Sequence, residues 1–517
     1  MKESEPTGGH VFVIKGDVQH LACDVYLQST DKDLRPNGGW LKAIPDAAER
    51  LDADERAEFQ REARFAIPVR VADPASREAT PVLVAVPYYG TTHADQLRER
   101  VQAFFAVAAD VIDVRKVSIG AQALVALPVF AAKGGGGGPV RGDILRVLYD
   151  EARRAAIRYS FDVAIVLDDP RAYDLAQVIR RDRDDDVWSE LSQYQVLLAR
   201  QLGRDAAQRR LVPFMGSGIS VTAGAPTWHQ LIAELAVAAG LTRSDANGLA
   251  SASRDVLDQA AYLHREFERR FPDDPLAFAQ SVIELVDKPR YGPAPALLAS
   301  LAAEQAITLN YDRLFELAAD DAGMPRRVIP GAPSQQKQWL LKLHGTVTDP
   351  DSIILTRADY IGFDSDRGAL SSLVKATLMT RRLLFVGFGM SDAHFHEIVH
   401  DVRRALPSTT HHFGTVLTLT NDPVTQRLWE GDLEFVVFDS PRTLDIFLDA
   451  VMAFAADSHS YLLAKGYEST LPDPDRKLAN AIQKLLGSVD DEARESAAWP
   501  ILCQALTDLG WSDHTDR

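Results

Sequence analysis

The sequence predicts a two-domain α/β protein, and three observations lead to this prediction. Short apolar runs alternate with runs of helical periodicity along most of the chain. Glycine-rich turns follow several of the apolar runs, as is common between a strand and the helix after it. The length of 517 residues exceeds what one ordinary hydrophobic core holds together. We therefore expect layers of helices on sheets, with clefts at the strand ends.

The composition argues against several functional classes. Hydrophobic residues make up 46% and charged residues 25% of the chain, and no apolar run is long enough for a membrane span. A net charge of −17 argues against a broad nucleic-acid-binding or anionic-membrane surface. The two cysteines, Cys23 and Cys503, cannot build a disulfide framework or a four-cysteine zinc site. Because the first residues lack an apolar targeting core, we expect a cytoplasmic protein.

The first part of the chain carries strand and helix patterns joined by glycine loops. The predicted strands begin near His10 and then span Val25–Gln28, Pro81–Val86, Ala123–Val129 and Val163–Leu167. The predicted helices span His93–Ala109 and Asp143–Tyr159. Glycine loops at Gly38-Gly39 and at Gly134–Gly138 lie at strand ends, so a mixed sheet with a cleft beside these loops is expected.

Residues 211–231 combine an apolar run, a glycine turn and a helical run. The apolar run ends at Gly216-Ser217-Gly218, and helical periodicity begins again by Trp228. Glycines at such a turn let backbone N–H groups approach a phosphate, and the next helix directs its positive dipole end to the same place. The turn therefore indicates a nucleotide pocket, with a ligand-free connection between strand and helix as the alternative.

Helical periodicity dominates residues 228–301 and predicts a helical insertion beside this pocket. Strand-like runs then return and alternate with helical ones, so a parallel, doubly wound sheet is the expected topology. The expected strands are Ala306–Leu309, Leu340–Leu343, Ser352–Leu355, Arg382–Val386, Thr415–Leu419 and Phe435–Phe438.

Three polar loops follow strands of this second sheet. They contain Asn310 and Asp312, then His344, then the run GFGMSD from Gly387 to Asp392. Since the carboxyl ends of parallel strands line one crevice, these loops are expected to face the glycine turn. Singly, Asn310 or Asp392 could cap a helix, and His344 could be a histidine of a turn. Together they indicate a catalytic site, because an imidazole accepts protons at neutral pH and an amide orients a nucleophile.

The N-terminal part resembles a macrodomain, the fold that binds ADP-ribose. The resemblance rests on the GDV run at Asp17, on Gly38-Gly39 and on the polyglycine loop around Gly136. It implies that Asp17 receives the adenine amino group, and that Gly38, Gly39 and Gly136 belong to loops around the pyrophosphate and distal ribose. The family usually has an asparagine where this chain has residues 29–31, Ser-Thr-Asp, which argues against ADP-ribose hydrolysis. A structural or sensing role is the alternative.

The C-terminal part resembles the catalytic domain of the sirtuin family, in particular its bacterial defence branch. The resemblance covers about residues 206–445 and rests on the runs GSGIS, TLNYD, KLHG and GFGMSD. It implies a Rossmann-like sheet that takes NAD⁺ as substrate, with His344 as general base and with Asn310 and Asp312 organising the nicotinamide ribose and the attacking water. The residues implied to hold the pyrophosphate are Gly216, Ser217, Gly218 and Ser220. Those implied to contact the adenosine half are Gly387, Gly389 and Ser391.

Two departures separate the chain from deacylating sirtuins. No four-cysteine zinc module follows His344, and the glycine turn continues with Gly-Ala-Pro at residues 224–226 rather than with Asp-Phe-Arg. The resemblance therefore implies hydrolysis of NAD⁺ to nicotinamide and ADP-ribose without zinc, as in abortive-infection effectors against phage. A protein deacylase or ADP-ribosyltransferase and a non-catalytic sensor of NAD⁺ or ADP-ribose are the alternatives.

We expect four segments along the chain. They are a macrodomain-like α/β domain at residues 1–180, a linker helix at 181–205, a sirtuin-like domain at 206–460 with its helical insertion at about 228–301, and a helical tail at 461–517. The resemblance also implies a homo-oligomer or a partner protein such as a translocating ATPase encoded nearby. Because unregulated loss of NAD⁺ would kill the host cell, the N-terminal domain is expected to restrain or tune the enzyme.

Overall fold

The computed structural model divides the chain into two compact units, each built on its own sheet. The first unit comprises residues 1–199 and 449–517, and the second comprises residues 200–448. Among the described helices, none is both long and apolar enough to cross a membrane. The structure describes residues 8–34, 44, 47–71, 78–115, 122–132, 135–181, 187–252, 254–406, 412–456 and 459–512.

Within the described residues, the first unit has a six-stranded sheet in the order β1-β6-β5-β2-β4-β3. Neighbouring strands run parallel except β3 and β4, so the expected mixed sheet is confirmed. Its strands are β1 (Val11–Lys15), β2 (Val25–Thr30), β3 (Ala66–Pro68), β4 (Thr80–Ala85), β5 (Leu124–Pro128) and β6 (Asp162–Leu167). The helices up to the second unit are α1 (Ala53–Gln60), α2 (Arg98–Arg115), α3 (Arg141–Tyr159), α4 (Pro170–Arg181) and α5 (Gln193–Ala207).

The second unit has a seven-stranded sheet within the described residues, in the order β13-β12-β11-β7-β8-β10-β9, and every pair is parallel. Its strands are β7 (Leu211–Met215), β8 (Gln305–Thr308), β9 (Arg327–Ile329), β10 (Trp339–Lys342), β11 (Arg382–Val386), β12 (Gly414–Thr418) and β13 (Leu433–Val437). Between β7 and β8 lie α6 (Trp228–Ala238), α7 (Arg243–Ala250), α8 (Val256–Arg270), α9 (Ala277–Val286) and α10 (Pro293–Ala299). The later helices are α11 (Leu314–Asp321), α12 (Arg357–Thr380), α13 (Ala393–Ala405), α14 (Pro423–Leu428) and α15 (Pro441–Ala455).

The strand order of the second sheet places its switch point between β7 and β11. After β7 the chain adds β8 beside it, then β9 at the far edge and β10 between β8 and β9, and it then returns to the other side of β7 to add β11, β12 and β13. In doubly wound sheets, ligands bind at the carboxyl ends of the strands beside such a switch point. This is the doubly wound topology that the sequence predicts.

Residues 449–517 complete the first unit, and their helices are α16 (Asp473–Gly487), α17 (Asp491–Arg494) and α18 (Trp499–Asp508). Apolar side chains between Tyr461 and Leu471 pack in the same core as β1 and α3. This segment also contacts the first turn of α3, where the Gly142 amide donates to the Gly466 carbonyl over 2.9 Å. A Cβ at position 142 would lie 2.7 Å from the Thr470 methyl carbon, so a larger residue there would have to displace the Thr470 side chain.

A buried ion cluster connects α15 with α4 and β1 inside the first unit. The carboxylate of Asp449 accepts hydrogen bonds from the Arg180 guanidinium at 2.5 and 2.8 Å and lies 2.8 Å from Nε2 of His10. Arg180 and Asp449 are both 0% exposed. Burial acts to raise the pKa of Asp449, but the Arg180 charge and the hydrogen bonds from His10 and Arg180 hold it below its usual value.

Three features differ from the sequence expectations. The units do not follow the expected split at residue 460, because the apolar face of the tail packs into the core of the first unit. The expected strand at Ser352–Leu355 is not one, since the Ile354 amide donates to the His344 carbonyl outside any ladder. The short strand β9 at the edge of the second sheet was not predicted, because its residues are only half-buried.

Candidate functional site

Three glycines bring the loops after β7 and β11 into backbone contact at the switch point. The Gly216 amide donates to the Val386 carbonyl, and the Gly218 amide donates to the Gly387 carbonyl, each over 3.0 Å. A Cβ at Gly216 would lie 2.4 Å from that Gly387 oxygen, and Gly387 itself has a φ of +64°. The glycines at 216 and 218 thus permit close approach of two loops, and their own N–H groups already have partners.

Asn310, Ser220 and Asp312 form one buried hydrogen-bonded group beside this contact. The Asn310 side-chain nitrogen donates to the Gly216 carbonyl over 3.2 Å and to the Ser220 hydroxyl over 3.3 Å. That hydroxyl donates to Asp312 Oδ2 over 2.8 Å, and Asp312 Oδ1 accepts from the Leu314 amide over 3.0 Å. Since all three residues are less than 10% exposed, the group is rigidly placed at the strand ends.

Lys342 lies beneath this group and supplies a buried positive charge. It is 1% exposed, and its Nζ donates to the backbone carbonyls of Tyr311 and Asp312 and to the Glu316 carboxylate, the last over 2.7 Å. Burial raises the pKa values of Asp312 and Glu316, and the Lys342 ammonium opposes both shifts. The hydrogen bonds from Lys342 therefore hold the backbone of the loop that carries Asn310 and Asp312.

His344 follows β10 on the neighbouring loop. Lys342 pairs with Thr308 in the parallel register, and the Leu343 amide donates to the Thr308 carbonyl over 3.0 Å. His344 and Asn310 each lie two residues beyond this paired position, so their loops leave the sheet side by side. His344 is 4% exposed, and burial lowers its pKa to about 4 although the Asp392 carboxylate acts to raise it. The imidazole is therefore neutral at pH 7.

The ring of His344 contacts side chains from α12 and α13. Its Nε2 lies 3.5 Å from Nδ1 of His394 and 3.8 Å from Oδ2 of Asp392. The Tyr360 hydroxyl donates to the same Asp392 oxygen over 2.8 Å. Asp392 also caps α13 by accepting from the Phe395 amide over 2.9 Å, as the capping alternative expected. One carboxylate thus caps the helix and also lies close to the His344 ring.

The other predicted binding residues lie at more open positions. Ser217, Gly218, Gly389 and Ser391 are exposed, and of the adenosine-side set only Gly387 contacts the glycine turn. The structure therefore brings Gly216, Ser220, Asn310 and Asp312 together by hydrogen bonds, with Gly387 packed against them. Roles for these residues in holding NAD⁺ remain predictions.

In the first unit, two of the four predicted ADP-ribose residues can be located. Asp17 is exposed just after β1, and its carboxylate accepts from the Gln19 amide over 2.9 Å. Gly136 follows β5 with a φ of +76°, and the neighbouring Gly135 carbonyl accepts from the Thr91 amide over 2.7 Å. Gly38 and Gly39 lie outside the described residues. Both located residues are on the carboxyl side of the sheet, and ligand binding there remains a prediction.

Cavities in the described part of the chain also lie away from these strand ends. One of about 470 Å³ is in the first unit beside Gly9 and Arg153, and one of about 430 Å³ is in the second unit beside Asp205 and Arg382. Arg382 is the first residue of β11, so the second cavity is at the amino edge of the sheet, opposite the candidate site. Neither cavity is lined by Asn310, Ser220 or Asp312.

One nitrogen of His344, one of His394 and one carboxylate oxygen of Asp392 lie within 4.8 Å of one another, which is close enough to hold a small metal ion. The expected absence of zinc therefore remains a prediction, which elemental analysis of the purified protein tests.

Sequence reasoning missed Lys342, Tyr360 and His394 as members of the site. A lysine inside an apolar strand is a usable signal, because a buried ammonium needs several acceptors. Asn310 and His344 were predicted because they follow the carboxyl ends of parallel strands. Tyr360 and His394 lie on helices, so that criterion does not select them.

Part of the second unit matches a known protein family. Residues 304–433 match the family model described as SIR2-like domain. The chain is 26% identical over 200 residues to NAD(+) hydrolase ThsA of Enterococcus faecium, across 37% of this chain and 40% of that protein. It is 24% identical over 219 residues to defense-associated sirtuin 2 of Bacillus subtilis, across 41% of this chain and 21% of that protein.

A further NAD(+) hydrolase ThsA, from Bacillus cereus, is 24% identical over 215 residues, across 40% of this chain and 43% of that protein. The chain thus spans less than half the length of these curated relatives. A mutant macrodomain of Oceanobacillus iheyensis is similar to 35% of this chain over 95% of its own length, with 14% identity and a TM-score of 0.25. A similarity at that score does not define the fold of the first unit, which its own sheet topology does.

Proposed function

We propose that the second unit is an NAD⁺ glycohydrolase that releases nicotinamide and leaves ADP-ribose. The observation that carries the proposal is a neutral, buried His344 on the loop beside the Asn310–Ser220–Asp312 group, in a region that matches the SIR2-like model. The relatives named NAD(+) hydrolase support the same substrate. An alternative deacylase reaction would need an acyl-peptide as well.

The proposed chemistry assigns each residue a task. The bond between the ribose and the nicotinamide nitrogen breaks, and its electron pair stays with nicotinamide, which leaves as a neutral ring. Water bonds to the resulting cation-like ribose carbon, and His344 takes the proton released from that water or from a ribose hydroxyl. The side-chain nitrogen of Asn310 already donates to the Gly216 carbonyl and to the Ser220 hydroxyl. Its side-chain oxygen is therefore the atom that orients the nucleophile.

Chromatography of nicotinamide and ADP-ribose from purified protein and NAD⁺, with no acyl-peptide added, tests this function. We expect turnover that falls ~10²–10⁴-fold in His344→Ala and in Asn310→Ala while circular dichroism shows that both variants keep the fold. Release that depends on an acyl-peptide favours the deacylase, and transfer of ADP-ribose to a protein favours the transferase. Binding of NAD⁺ without turnover under any activating condition favours a sensor.

We further propose a setting for this activity. The relatives named for defence support an effector that depletes NAD⁺ during phage infection, a form of abortive infection in the cytoplasm. A homo-oligomer, or a partner such as a translocating ATPase, would keep the enzyme inactive until infection.

The first unit would add control if Asp17 and Gly136 bind ADP-ribose or a related nucleotide. Such a ligand shifts activity only through unequal affinity for restrained and active states. Calorimetry of the full chain with ADP-ribose, repeated with Asp17→Ala, tests that part.

A further inference from the structure

The side chain of His394 is held more tightly than a residue of an ordinary helix face. Its ring lies between the rings of Tyr360 and Phe363, with centroid distances of 4.3 and 3.8 Å and interplanar angles of 13° and 18°. It is 6% exposed. A ring stacked on both faces keeps its plane, so the directions of its two nitrogens are fixed.

The backbone decides which nitrogen of His394 carries the proton. Its Nε2 lies 3.0 Å from the carbonyl oxygen of Tyr360. A carbonyl only accepts hydrogen bonds, so Nε2 is the donor. In a neutral imidazole the other nitrogen is then unprotonated, and this Nδ1 is the atom that faces His344.

His344 Nε2 consequently faces two acceptors. One is Nδ1 of His394 at 3.5 Å, and the other is the Asp392 carboxylate at 3.8 Å, which the Tyr360 hydroxyl holds in place. A nitrogen between two acceptors is stable only as an N–H donor. The proton-accepting lone pair of neutral His344 is therefore on Nδ1.

We propose that His394 is a positioning residue that, with Asp392, holds His344 as its Nε2–H tautomer and so makes Nδ1 the base. The inference rests on the glycohydrolase function proposed above. When His344 takes a proton in the reaction, the two acceptors also stabilise the imidazolium through its Nε2–H.

Three single substitutions test whether His394 acts as a hydrogen-bond acceptor for His344 or only fills space in the core. His394→Phe keeps a flat ring between Tyr360 and Phe363 but removes the acceptor. His394→Asn loses ring stacking but places an oxygen acceptor near the former Nδ1. His400→Phe is the matched control, because His400 is an exposed histidine of the same helix. Melting temperatures establish that each variant is folded.

We expect His394→Phe to lower kcat ~10²-fold or more with KM changed less than ~3-fold, since a misplaced tautomer affects the base and not substrate binding. His394→Asn should recover at least ~10-fold of that loss, and His400→Phe should equal the wild type. A folded His394→Phe with wild-type kcat, or a folded His394→Asn no better than it, overturns the proposal.

Nitrogen-15 spectra of the histidine rings provide a readout that needs no turnover. In the wild type at pH 7, His344 should show the Nε2–H tautomer, and in His394→Phe this preference should weaken. If the wild type consumes no NAD⁺, the proposed function fails, while these spectra still decide the tautomer. An Nδ1–H form of His344 in the wild type, or stoichiometric zinc in the purified protein, refutes the assignment.

Discussion

His344 should remain an active base well below the pH at which an ordinary histidine is protonated. Its burial lowers the pKa to about 4. At pH 5, a base with that pKa is about 90% neutral, whereas an imidazole titrating near 6.5 is about 3% neutral. The acid limb of kcat/KM reports the free enzyme, so activity at pH 5 should be about thirtyfold above that expected for an ordinary histidine.

The same pKa difference couples His344 to the free energy of unfolding. The folded-state pKa lies below the unfolded value near 6.5, so the unfolded chain binds the proton first and protonation favours unfolding. The contribution of His344 is complete above about pH 6.5 and is lost as the pH falls towards 4, with a bound of about 3 kcal/mol. His344→Gln should therefore lose less stability than the wild type across this interval.

Nicotinamide release measured between pH 4.5 and 8, with circular dichroism at each pH, separates titration of the base from acid unfolding. Urea midpoints at pH 7 and pH 5 give the stability change for the wild type, for His344→Gln and for His400→Gln, the exposed control. An acid limb centred near pH 6.5 in a folded wild type would show that the imidazole is solvated, and the assignment of a buried base would then be wrong.

Three other substitutions have effects that follow from the contacts. Gly387→Ala should abolish nicotinamide release in a folded protein, because the new Cβ would lie 2.5 Å from the Ile219 amide nitrogen in a left-handed backbone. Asp449→Asn should lower the free energy of unfolding by about 3–5 kcal/mol in urea titrations by leaving the buried Arg180 charge unpaired, and the exposed Asp473→Asn should not. Gly142→Val should speed hydrogen exchange in residues 461–471, with a stability loss of about 1–3 kcal/mol.

The second sheet could be read from the sequence because each central strand is a short apolar run that ends at a turn. The observed bounds of β11 equal the expected ones, and those of β8, β10 and β12 differ from them by one residue. Once parallel strands are assumed, the positions of Asn310 and Asp312 follow, because all carboxyl ends lie at one edge. Both residues form hydrogen bonds with Ser220, which follows the neighbouring strand β7 at the same edge.

The wrongly expected strand and the misplaced domain boundary both involve apolar segments that are buried without being part of a sheet. Ser352–Leu355 is as apolar as a strand, yet its backbone is bonded to His344 and to the Tyr311 hydroxyl, which donates to the Ile354 carbonyl over 2.6 Å. The C-terminal helices likewise show an apolar face, but periodicity does not tell which core receives it. Tyr461 and Leu471 pack with the first sheet, so the domain boundary lies before the expected one.

The two histidines show where sequence reasoning ends. Helical periodicity marks His394 as inward-facing, since it shares a face of α13 with Phe395, Ile398 and Val402, which are all buried. A histidine on such a face must find hydrogen-bond partners, so the pattern alone indicates a buried polar contact. The partner, His344, is fifty residues earlier on a loop after a different strand. Only the packing of α13 against that loop identifies it, and this packing depends on side-chain volumes that no local pattern records.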